Sequence, residues 1–384
     1  MIKVVIIQAF LPPYRIGLFN ALGQFDDIEL HIMLLSSKKK NKPEWDNITD
    51  NAGFNKHYCK GIHLRLSHER TVHINHDVIK ILVKLKPDLI IFGGFNISSF
   101  QAVIYSKLAG IPCILWSEAT KYTEQNVSYL RYKFRQWIAK KSTSFLSAGK
   151  MASDYLNTLL KEKIKKPIFV GYNSVDVNLY QIKKSQISNN DLIHFKKKFS
   201  GKVLLFVGQF IERKGVIELF EVYKELYKKQ EDINLIMLGS GPMENKLKSY
   251  INDYSLKNIF FPGFINQNEI AKYFAVADIF ILLSHYDCNP LVIYEALSFG
   301  LPIIASKQVG NTPEFVQDGI NGFVADYKDI TYIEQKVDQI LSDDDLLKIF
   351  SKNSLLLSKN VSHEKVAKTF YDAIQNTLHF YANN

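Results

Sequence analysis

Short apolar runs alternate with longer amphipathic stretches along the whole chain. The runs are rich in Val, Ile and Leu, and Gly, Pro or polar residues bound them. Continuous apolar runs of this kind are typical of parallel strands in a sheet that helices cover on both faces. The predicted strands are residues 4–7, 30–34, 89–92, 112–116, 144–147, 168–171, 203–207, 234–238, 259–261, 279–283, 303–305 and 322–324.

The pattern occurs twice, on either side of a polar, Lys-rich stretch at residues 178–200 that we interpret as a linker. A chain of 384 residues is long enough for about two domains. The expected fold class is α/β, with two Rossmann-like, doubly wound parallel-sheet domains facing a cleft. We expect an N-terminal domain at 1–180 and a C-terminal domain at 181–361. A final helix at 362–384 is expected to pack back on the N-terminal domain.

Two carboxylates flank the start of a predicted helix after the strand at 279–283. Asp287 lies in the loop, and Glu295 lies eight residues later, about two turns into the helix. The residues between loop and helix are Cys288, Asn289, Pro290 and Leu291. Helix starts bind anions because their first N–H groups lack partners and the dipole favours negative charge. A phosphate here, with carboxylates beside it to accept hydrogen bonds from hydroxyls, describes a nucleotide-sugar pocket. A chance surface pair is the alternative.

A basic loop follows the strand at 203–207. Gly208 lets the chain turn, and Arg213 or Lys214 can contact a diphosphate as a fork or as a point charge. A solvated basic turn is the alternative interpretation.

These segments resemble two motifs of the retaining glycosyltransferases of family 4. The stretch from Asp287 to Glu295 is similar to the family's E-x7-E motif, with Asp287 in place of the first Glu. Residues 208–215 are similar to its Gly-Arg-x4-Lys-Gly motif, with Gln209 in place of the Arg. Arg213 lies close enough in sequence to replace the missing charge. The resemblance covers nearly the whole chain and is most specific over residues 203–326.

The resemblance implies the GT-B fold and a donor role for these residues. Glu295 would hold the ribose hydroxyls, and Asp287 would hold sugar hydroxyls near the diphosphate. Lys214 and Arg213, together with the helix-start N–H groups, would stabilise charge on the departing diphosphate. We therefore take Asp287, Glu295 and Lys214 as the catalytic candidates.

Two further loops are donor-binding candidates by the same resemblance. Gly239 and Gly241 follow the strand at 234–238, where the family has a Gly-x-Gly-Pro turn that lines the donor pocket. Gly263 and Phe264 end the next strand, where the family's base-contacting loop lies. On the residues alone, a plain strand-to-helix turn is the better interpretation of the first loop, and a simple Pro-Gly turn explains the second at least as well.

The first domain offers three acceptor-binding candidates. Tyr14 and Arg15 follow two prolines that stiffen the first strand-to-helix loop, and Glu118 follows the strand at 112–116. Arg15 is expected to bind the donor diphosphate or an acceptor phosphate, with a structural ion pair to a carboxylate as the alternative. The segment 173–178 resembles the family's entry to the linker, and we interpret it as structural.

One position departs from several relatives, which place a His in the loop after 89–92. This chain has Gly93 there, so no general base is assigned. A retaining reaction can proceed by attack on the same face, with the leaving phosphate taking the acceptor's proton. The loss of the His is therefore compatible with activity.

The positive charge is concentrated in the first half of the chain. The net charge is +10; residues 1–180 hold 25 Lys and Arg against 14 Asp and Glu, whereas 181–384 hold 23 against 24. A basic first domain suits an anionic partner. The stretch 129–141 is basic, aromatic and amphipathic, which favours an anionic membrane surface, although an ordinary core-facing helix fits equally well. No nucleic-acid-binding signature is present, so nucleic acid is not expected as a partner.

Other features bound the compartment and the chemistry. Three widely spaced cysteines and the absence of a long apolar run or an export signal lead us to expect a cytoplasmic protein, with a peripheral position on the inner face of the membrane left open. We identify neither an Asp-x-Asp metal site nor a His/Cys cluster in the sequence. We therefore expect no metal and no cofactor, with a nucleotide diphosphate sugar as donor substrate.

The expected function is retaining sugar transfer to a glycan or lipid-linked acceptor, in surface-polysaccharide biosynthesis. A non-hydrolysing sugar-nucleotide 2-epimerase shares the two-domain architecture and is one alternative. A catalytically inactive subunit that binds a sugar nucleotide or a lipid is the other, because Asp287, Gln209 and Gly93 depart from the family pattern.

Overall fold

The computed structural model describes residues 1–36, 53–65, 71–161, 165–199, 201–266 and 269–383. In these ranges the strands are β1 (Ile2–Gln8), β2 (Ile28–Leu34), β3 (Asn55–Tyr58), β4 (Gly61–Arg65), β5 (Thr71–Asn75), β6 (Leu89–Gly93), β7 (Cys113–Ser117), β8 (Ser144–Ser147), β9 (Ile168–Val170), β10 (Val203–Val207), β11 (Asn234–Leu238), β12 (Ile259–Gly263), β13 (Ile279–Leu282), β14 (Ile303–Ser306) and β15 (Gly322–Ala325). The helices are α1 (Pro13–Leu22), α2 (Val78–Leu85), α3 (Ile97–Ala109), α4 (Tyr129–Lys141), α5 (Lys150–Leu160), α6 (Val177–Gln186), α7 (Asn189–Lys196), α8 (Val216–Lys229), α9 (Glu244–Asp253), α10 (Ile270–Val276), α11 (Leu291–Phe299), α12 (Thr312–Phe315), α13 (Ile330–Leu341), α14 (Asp344–Ser358) and α15 (His363–Ala382). Single 3-10 turns lie at Glu212–Lys214 and Lys359–Val361.

The chain divides into two compact units. The N-terminal unit is Met1–Ser174 with His363–Asn384, and the C-terminal unit is Val175–Ser362. The division falls after Ser174 rather than after residue 180, because α6 packs against α11 of the C-terminal unit.

The N-terminal unit is built on a parallel sheet with the strand order β3-β2-β1-β6-β7-β8-β9. The strand order reverses between β1 and β6, where Val4 lies opposite Leu89. Val5 and Ile7 belong to one core cluster, and Val4 and Ile6 belong to another. Because alternate residues of a strand face opposite sides, both faces of this sheet are buried.

The C-terminal unit repeats this plan with the order β12-β11-β10-β13-β14-β15, and all neighbours are parallel. Its order reverses between β10 and β13, where Leu204 lies opposite Ile279. This is the order of a doubly wound dinucleotide-type fold, which binds ligands at the point of reversal. The predicted pair of Rossmann-like, doubly wound domains is confirmed.

The C-terminal helix α15 belongs to the N-terminal unit and packs against α1. The ring of Phe370 meets Trp116 edge to face at 4.8 Å, and the hydroxyls of Ser144 and Thr377 lie 2.6 Å apart. The helix therefore covers one face of the N-terminal sheet.

Residues 178–200 do not form the predicted linker. Up to Phe199 they form most of α6 and all of α7, and Ser200 lies outside the described residues. Lys184 donates to the carbonyl of Phe299 at 2.7 Å, and the ring of Phe195 meets Tyr273 edge to face at 5.0 Å. The Lys-rich composition misled the prediction, because long basic side chains cover apolar surface with their stems while their charges stay in water.

Strands β3, β4 and β5 were not predicted. β3 reads Asn-Lys-His-Tyr and lies at the edge of the N-terminal sheet. β4 and β5 form an antiparallel hairpin in which Ile62 lies opposite Ile74, and both side chains are exposed. A search for continuous apolar runs misses these strands because β3 is mostly polar and the β4–β5 pair is largely exposed.

Candidate functional site

The predicted basic loop and the predicted acidic loop meet in the C-terminal unit. Lys214 and Asp287 form an ion pair between Nζ and Oδ2, and Arg213 Nη1 lies 3.7 Å from the same oxygen. These residues follow β10 and β13, the two strands at the point of reversal. Two cations therefore surround one carboxylate, and the local charge is positive.

Backbone contacts fix how these loops meet. Gly215 has φ +67°, and a Cβ there would overlap the carbonyl oxygen of Leu283. The N–H of His285 donates to the carbonyl of Arg213 at 2.8 Å. Only glycine tolerates both this φ and this approach, so Gly215 is required for the two loops to join.

Asn311 forms hydrogen bonds to the two residues that precede α11. Its Nδ2 donates to the carbonyl of Pro290 at 3.0 Å and to Asn289 Oδ1 at 3.3 Å. The hydroxyl of Tyr294 also donates to Asn289 Oδ1, at 2.7 Å. No side chain caps the N-terminus of α11, which begins at Leu291. The first N–H groups of the helix are thus positioned for an anion.

Glu295, on the second turn of α11, contacts a residue from a distant part of the sequence. The hydroxyl of Tyr180, on α6, donates to Glu295 Oε1 at 2.8 Å. Burial raises the pKa of Glu295, and the hydrogen bond from Tyr180 offsets only part of the rise. Burial likewise raises the pKa of Tyr180, and the neighbouring Glu295 carboxylate adds to that rise. A poorly solvated carboxylate of this kind favours further hydrogen-bond donors, such as hydroxyls.

The glycines of the next loop serve backbone packing. A Cβ at Gly239 would overlap the carbonyl oxygen of Gly208, and one at Gly241 would overlap that of Phe210. Both glycines thus let the loop after β11 lie against the loop after β10. Gln209, which replaces the family's Arg, has an exposed side chain.

The loop after β12 presents a large aromatic surface. Gly263 has φ +81°. Its carbonyl accepts a hydrogen bond from the N–H of Gly239 at 3.0 Å. Phe264, the next residue, is 79% exposed. The geometry is compatible with the donor-base role that we predict for this loop.

The predicted acceptor residues lie together in the N-terminal unit. Arg15 Nη2 donates to Glu118 Oε1 at 2.7 Å, Nη1 donates to Gln8 Oε1, and the guanidinium lies 4.3 Å from the centre of the Trp116 ring. Tyr14 stands beside this group, and burial raises the pKa of its hydroxyl. Arg15 therefore makes the structural ion pair that the sequence left as the alternative.

Three contact residues were missed in the sequence: Tyr180, Gln8 and Asn173. Asn173 Nδ2 donates to Glu118 Oε1 at 3.3 Å, so the segment 173–178 does more than connect the units. Gln8 ends β1, and a polar residue at the end of a buried strand is a signal that points to this edge of the sheet. No pattern links Tyr180 to Glu295, because the two lie on different helices.

The helix α4 buries only part of the stretch that was predicted to be amphipathic. Ile138 is fully buried, but Leu130 is 80% exposed. Arg135 is bound inside the unit by Glu124 and by the hydroxyl of Tyr155, whereas Arg131 and Lys133 are exposed. The helix is therefore anchored through its middle and C-terminal part, and its first turn lies at the surface.

Within the described ranges, no helix is long and apolar enough to cross a bilayer. In the same ranges, no group of three or more His, Cys, Asp or Glu side chains is arranged to hold a metal ion.

The chain thus consists of two Rossmann-like units, the architecture of the GT-B fold. Residues 189–356 match the family described as glycosyl transferases group 1. The C-terminal part of the chain is therefore similar to the glycosyl transferases of group 1.

Individual relatives match in sequence or in fold. An uncharacterized glycosyltransferase of Haemophilus influenzae is 30% identical over 171 residues, 44% of this chain and 48% of that one. The Escherichia coli UDP-Gal:alpha-D-GlcNAc-diphosphoundecaprenol alpha-1,3-galactosyltransferase is 28% identical over 285 residues, 71% of each chain. Anabaena HepE in complex with UDP has the same fold, with a TM-score of 0.76, 16% identity and coverage of 98% of this chain and 100% of that one. The chain spans about half the length of the first curated relatives it matches.

The Gly215 contact makes a stability prediction. Gly215→Ala should lower the free energy of unfolding by at least ~3 kcal/mol, because left-handed strain and overlap with the Leu283 carbonyl add. Gly263→Ala is the matched control: its φ is also positive, but a Cβ there meets nothing within 4 Å. It should cost only about 1–2 kcal/mol. Urea unfolding followed by circular dichroism measures both, and equal losses would contradict the proposed role of the close approach.

Proposed function

We propose that this protein is a retaining glycosyltransferase that moves a sugar from a nucleotide diphosphate sugar to a glycan or lipid-linked acceptor. The observation that carries the proposal is the meeting of Arg213 and Lys214 with Asp287 beside the uncapped start of α11. Cations and a helix N-terminus suit a diphosphate, and carboxylates suit sugar and ribose hydroxyls.

The proposed donor geometry follows from these contacts. The diphosphate forms ion pairs with Lys214 and Arg213 in place of Asp287. The Asp287 carboxylate then accepts hydrogen bonds from the sugar hydroxyls. The N–H groups of Asn289 and Leu291 and the two cations then stabilise charge on the departing diphosphate. With cations supplied by side chains, the transfer is proposed to need no metal ion and no cofactor.

The acceptor attacks on the same face of the sugar that the diphosphate leaves. The leaving phosphate takes the acceptor's proton, so no side-chain base is required at Gly93. This step retains the configuration at the transferred carbon. The proposed mechanism thus accommodates the departure of Gly93 from the family pattern.

A surface-polysaccharide role and a cytoplasmic setting complete the proposal. Its support is the E. coli relative, whose name describes transfer to a diphosphoundecaprenol-linked sugar.

The first experiment is a thermal-shift screen against nucleotide diphosphate sugars, followed by an assay for donor hydrolysis and transfer. Binding stabilises the protein by mass action, so the true donor should raise the melting temperature most. Slow hydrolysis would argue against an inactive subunit. Isomerisation of the nucleotide sugar without any acceptor would replace the proposal by the epimerase alternative.

The Glu295 contact predicts the next result. Glu295→Ala should weaken nucleotide binding and lower transfer by at least ~10²-fold, because charged hydrogen bonds to the ribose are lost. Tyr180→Phe should cost less, since it only releases the carboxylate from its partner. Tyr332→Phe, on α13, is the matched control. Normal kinetics of Glu295→Ala at subsaturating donor would refute the ribose role.

A separate prediction concerns the cation that replaces the family's Arg. Arg213→Ala should cost ~1.5–3 kcal/mol of diphosphate affinity, the range for hydrogen bonds to charged groups. Adding Gln209→Arg should restore part of the loss, because residue 209 lies in the same loop and its side chain is exposed. Calorimetry with the nucleoside diphosphate measures both variants. Unchanged affinity of Arg213→Ala would leave Lys214 as the basic contact of this loop.

We also propose that the first turn of α4 rests on an anionic membrane surface. Tyr129 and Leu130, on this first turn, are 70% and 80% exposed. The exposed cations Arg131 and Lys133 lie on the next residues of α4. Exposed apolar side chains beside exposed cations are the combination that favours anionic lipid.

Replacing Arg131 and Lys133 with Gln should weaken binding to acidic liposomes by about 2 kcal/mol, at about 1 kcal/mol for each basic residue. The loss should shrink as salt is raised, because salt screens the attraction. Lys196→Gln with Lys197→Gln, two exposed charges on α7 and its C-cap, is the matched control. Equal partition of wild type and the α4 variant at low salt would remove the membrane from the proposal.

A further inference from the structure

A polar cluster lies at the carboxyl edge of the N-terminal sheet, at its point of reversal. Gln8 ends β1, Gly93 ends β6, and Glu118 and Asn173 follow β7 and β9. Arg15, from α1, joins them through Gln8 and Glu118. The ends of parallel strands at such a point are where ligands bind in this kind of sheet.

Two buried amides in this cluster have unused hydrogen-bonding atoms. Gln8 and Asn173 are only 5% and 3% exposed. Among the described residues, Gln8 Nε2 and Asn173 Oδ1 have no hydrogen-bond partner, although each amide makes one bond inside the cluster. One atom is a donor and the other is an acceptor. A buried polar atom without a partner is costly, so the pair indicates a ligand.

Gly93 leaves room beside the first of these atoms. A Cβ at residue 93 would lie 3.5 Å from Gln8 Nε2, at ordinary contact distance. A ligand atom that bonds to this amide would occupy the same space.

The charge of the cluster decides the class of ligand. Arg15 is neutralised by Glu118, and its guanidinium is further engaged by Gln8 and by the Trp116 ring. A phosphate would have to approach the Glu118 carboxylate, which repels it. A sugar hydroxyl both donates and accepts, so neighbouring hydroxyls match a donor, an acceptor and a carboxylate.

We propose that this cluster binds hydroxyls of a neutral sugar unit of the acceptor, and that the acceptor's phosphate, if it has one, binds elsewhere. The proposal rests on the transferase function proposed above. It corrects the expectation that Arg15 binds a phosphate directly. It adds Gln8, Gly93 and Asn173 to the acceptor residues.

Direct binding tests this assignment without requiring turnover. A panel of octyl glycosides of neutral hexoses and the corresponding hexose 1-phosphates is titrated into the full-length protein with UDP present, followed by saturation-transfer NMR. At least one neutral glycoside should bind, and Gly93→Ala should weaken it by at least about tenfold, because the Cβ takes the ligand's space. Gly53→Ala, whose Cβ would also lie at ordinary contact distance, 3.7 Å from Asn20, should leave binding unchanged.

Glu118→Gln should change the affinities for neutral glycosides and for hexose 1-phosphates in opposite directions. Because the charged hydrogen-bond acceptor is lost, the affinity for the neutral glycoside should fall by about tenfold or more. If the site binds phosphate, the same change should strengthen the hexose 1-phosphate, and that result would overturn the assignment. Failure of every neutral glycoside to bind would also overturn it. The rise in melting temperature on UDP binding tests the folding and the donor site of each variant independently of the acceptor. If wild type shows no such rise, the result counts against the proposed function and not against this assignment.

Discussion

The approach of Gly215 to the carbonyl of Leu283 is the contact on which the donor side of the molecule depends. It lets the loops after β10 and β13 lie side by side at the point where the strand order reverses. Lys214 is the residue before this glycine, and Asp287 lies four residues beyond Leu283, so their ion pair follows from the backbone contact. The hydrogen bond from the His285 N–H to the Arg213 carbonyl closes the same junction. A larger residue at position 215 would separate the cations from the start of α11.

The two units use the same point of their sheets for different chemistry. In the C-terminal unit, two cations outnumber one carboxylate and an uncapped helix start adds further positive potential. In the N-terminal unit, the charges of Arg15 and Glu118 cancel, and two amides supply further hydrogen-bonding atoms. The first arrangement suits an anion and the second suits neutral hydroxyls. Similar topology thus carries two different charge patterns, which is the basis for the proposed division between a charged donor and a sugar acceptor.

The excess positive charge of the first half is not explained by its binding cluster. Arg15 is paired with Glu118, and Arg135 is paired with Glu124. The cations without such burial, including Arg131 and Lys133, lie at the surface. The excess positive charge is therefore located at the surface of this unit. Surface charge affects association more than it affects the fold.

The sequence by itself determined the two-domain plan and the loops that carry the chemistry. Every strand that it predicted is present, because each prediction rests on an apolar run that packs in a sheet, and the Asp287 to Glu295 spacing predicted the loop and helix around α11. It missed β3 and the β4–β5 hairpin, whose exposure removes that signal. Only the tertiary structure decided the partners: Tyr180 for Glu295, Asn173 for Glu118, and Asp287 for Lys214. Such contacts join residues separated by 55 to 115 positions. No local periodicity encodes them, because they depend on which strand ends and helices the fold brings together.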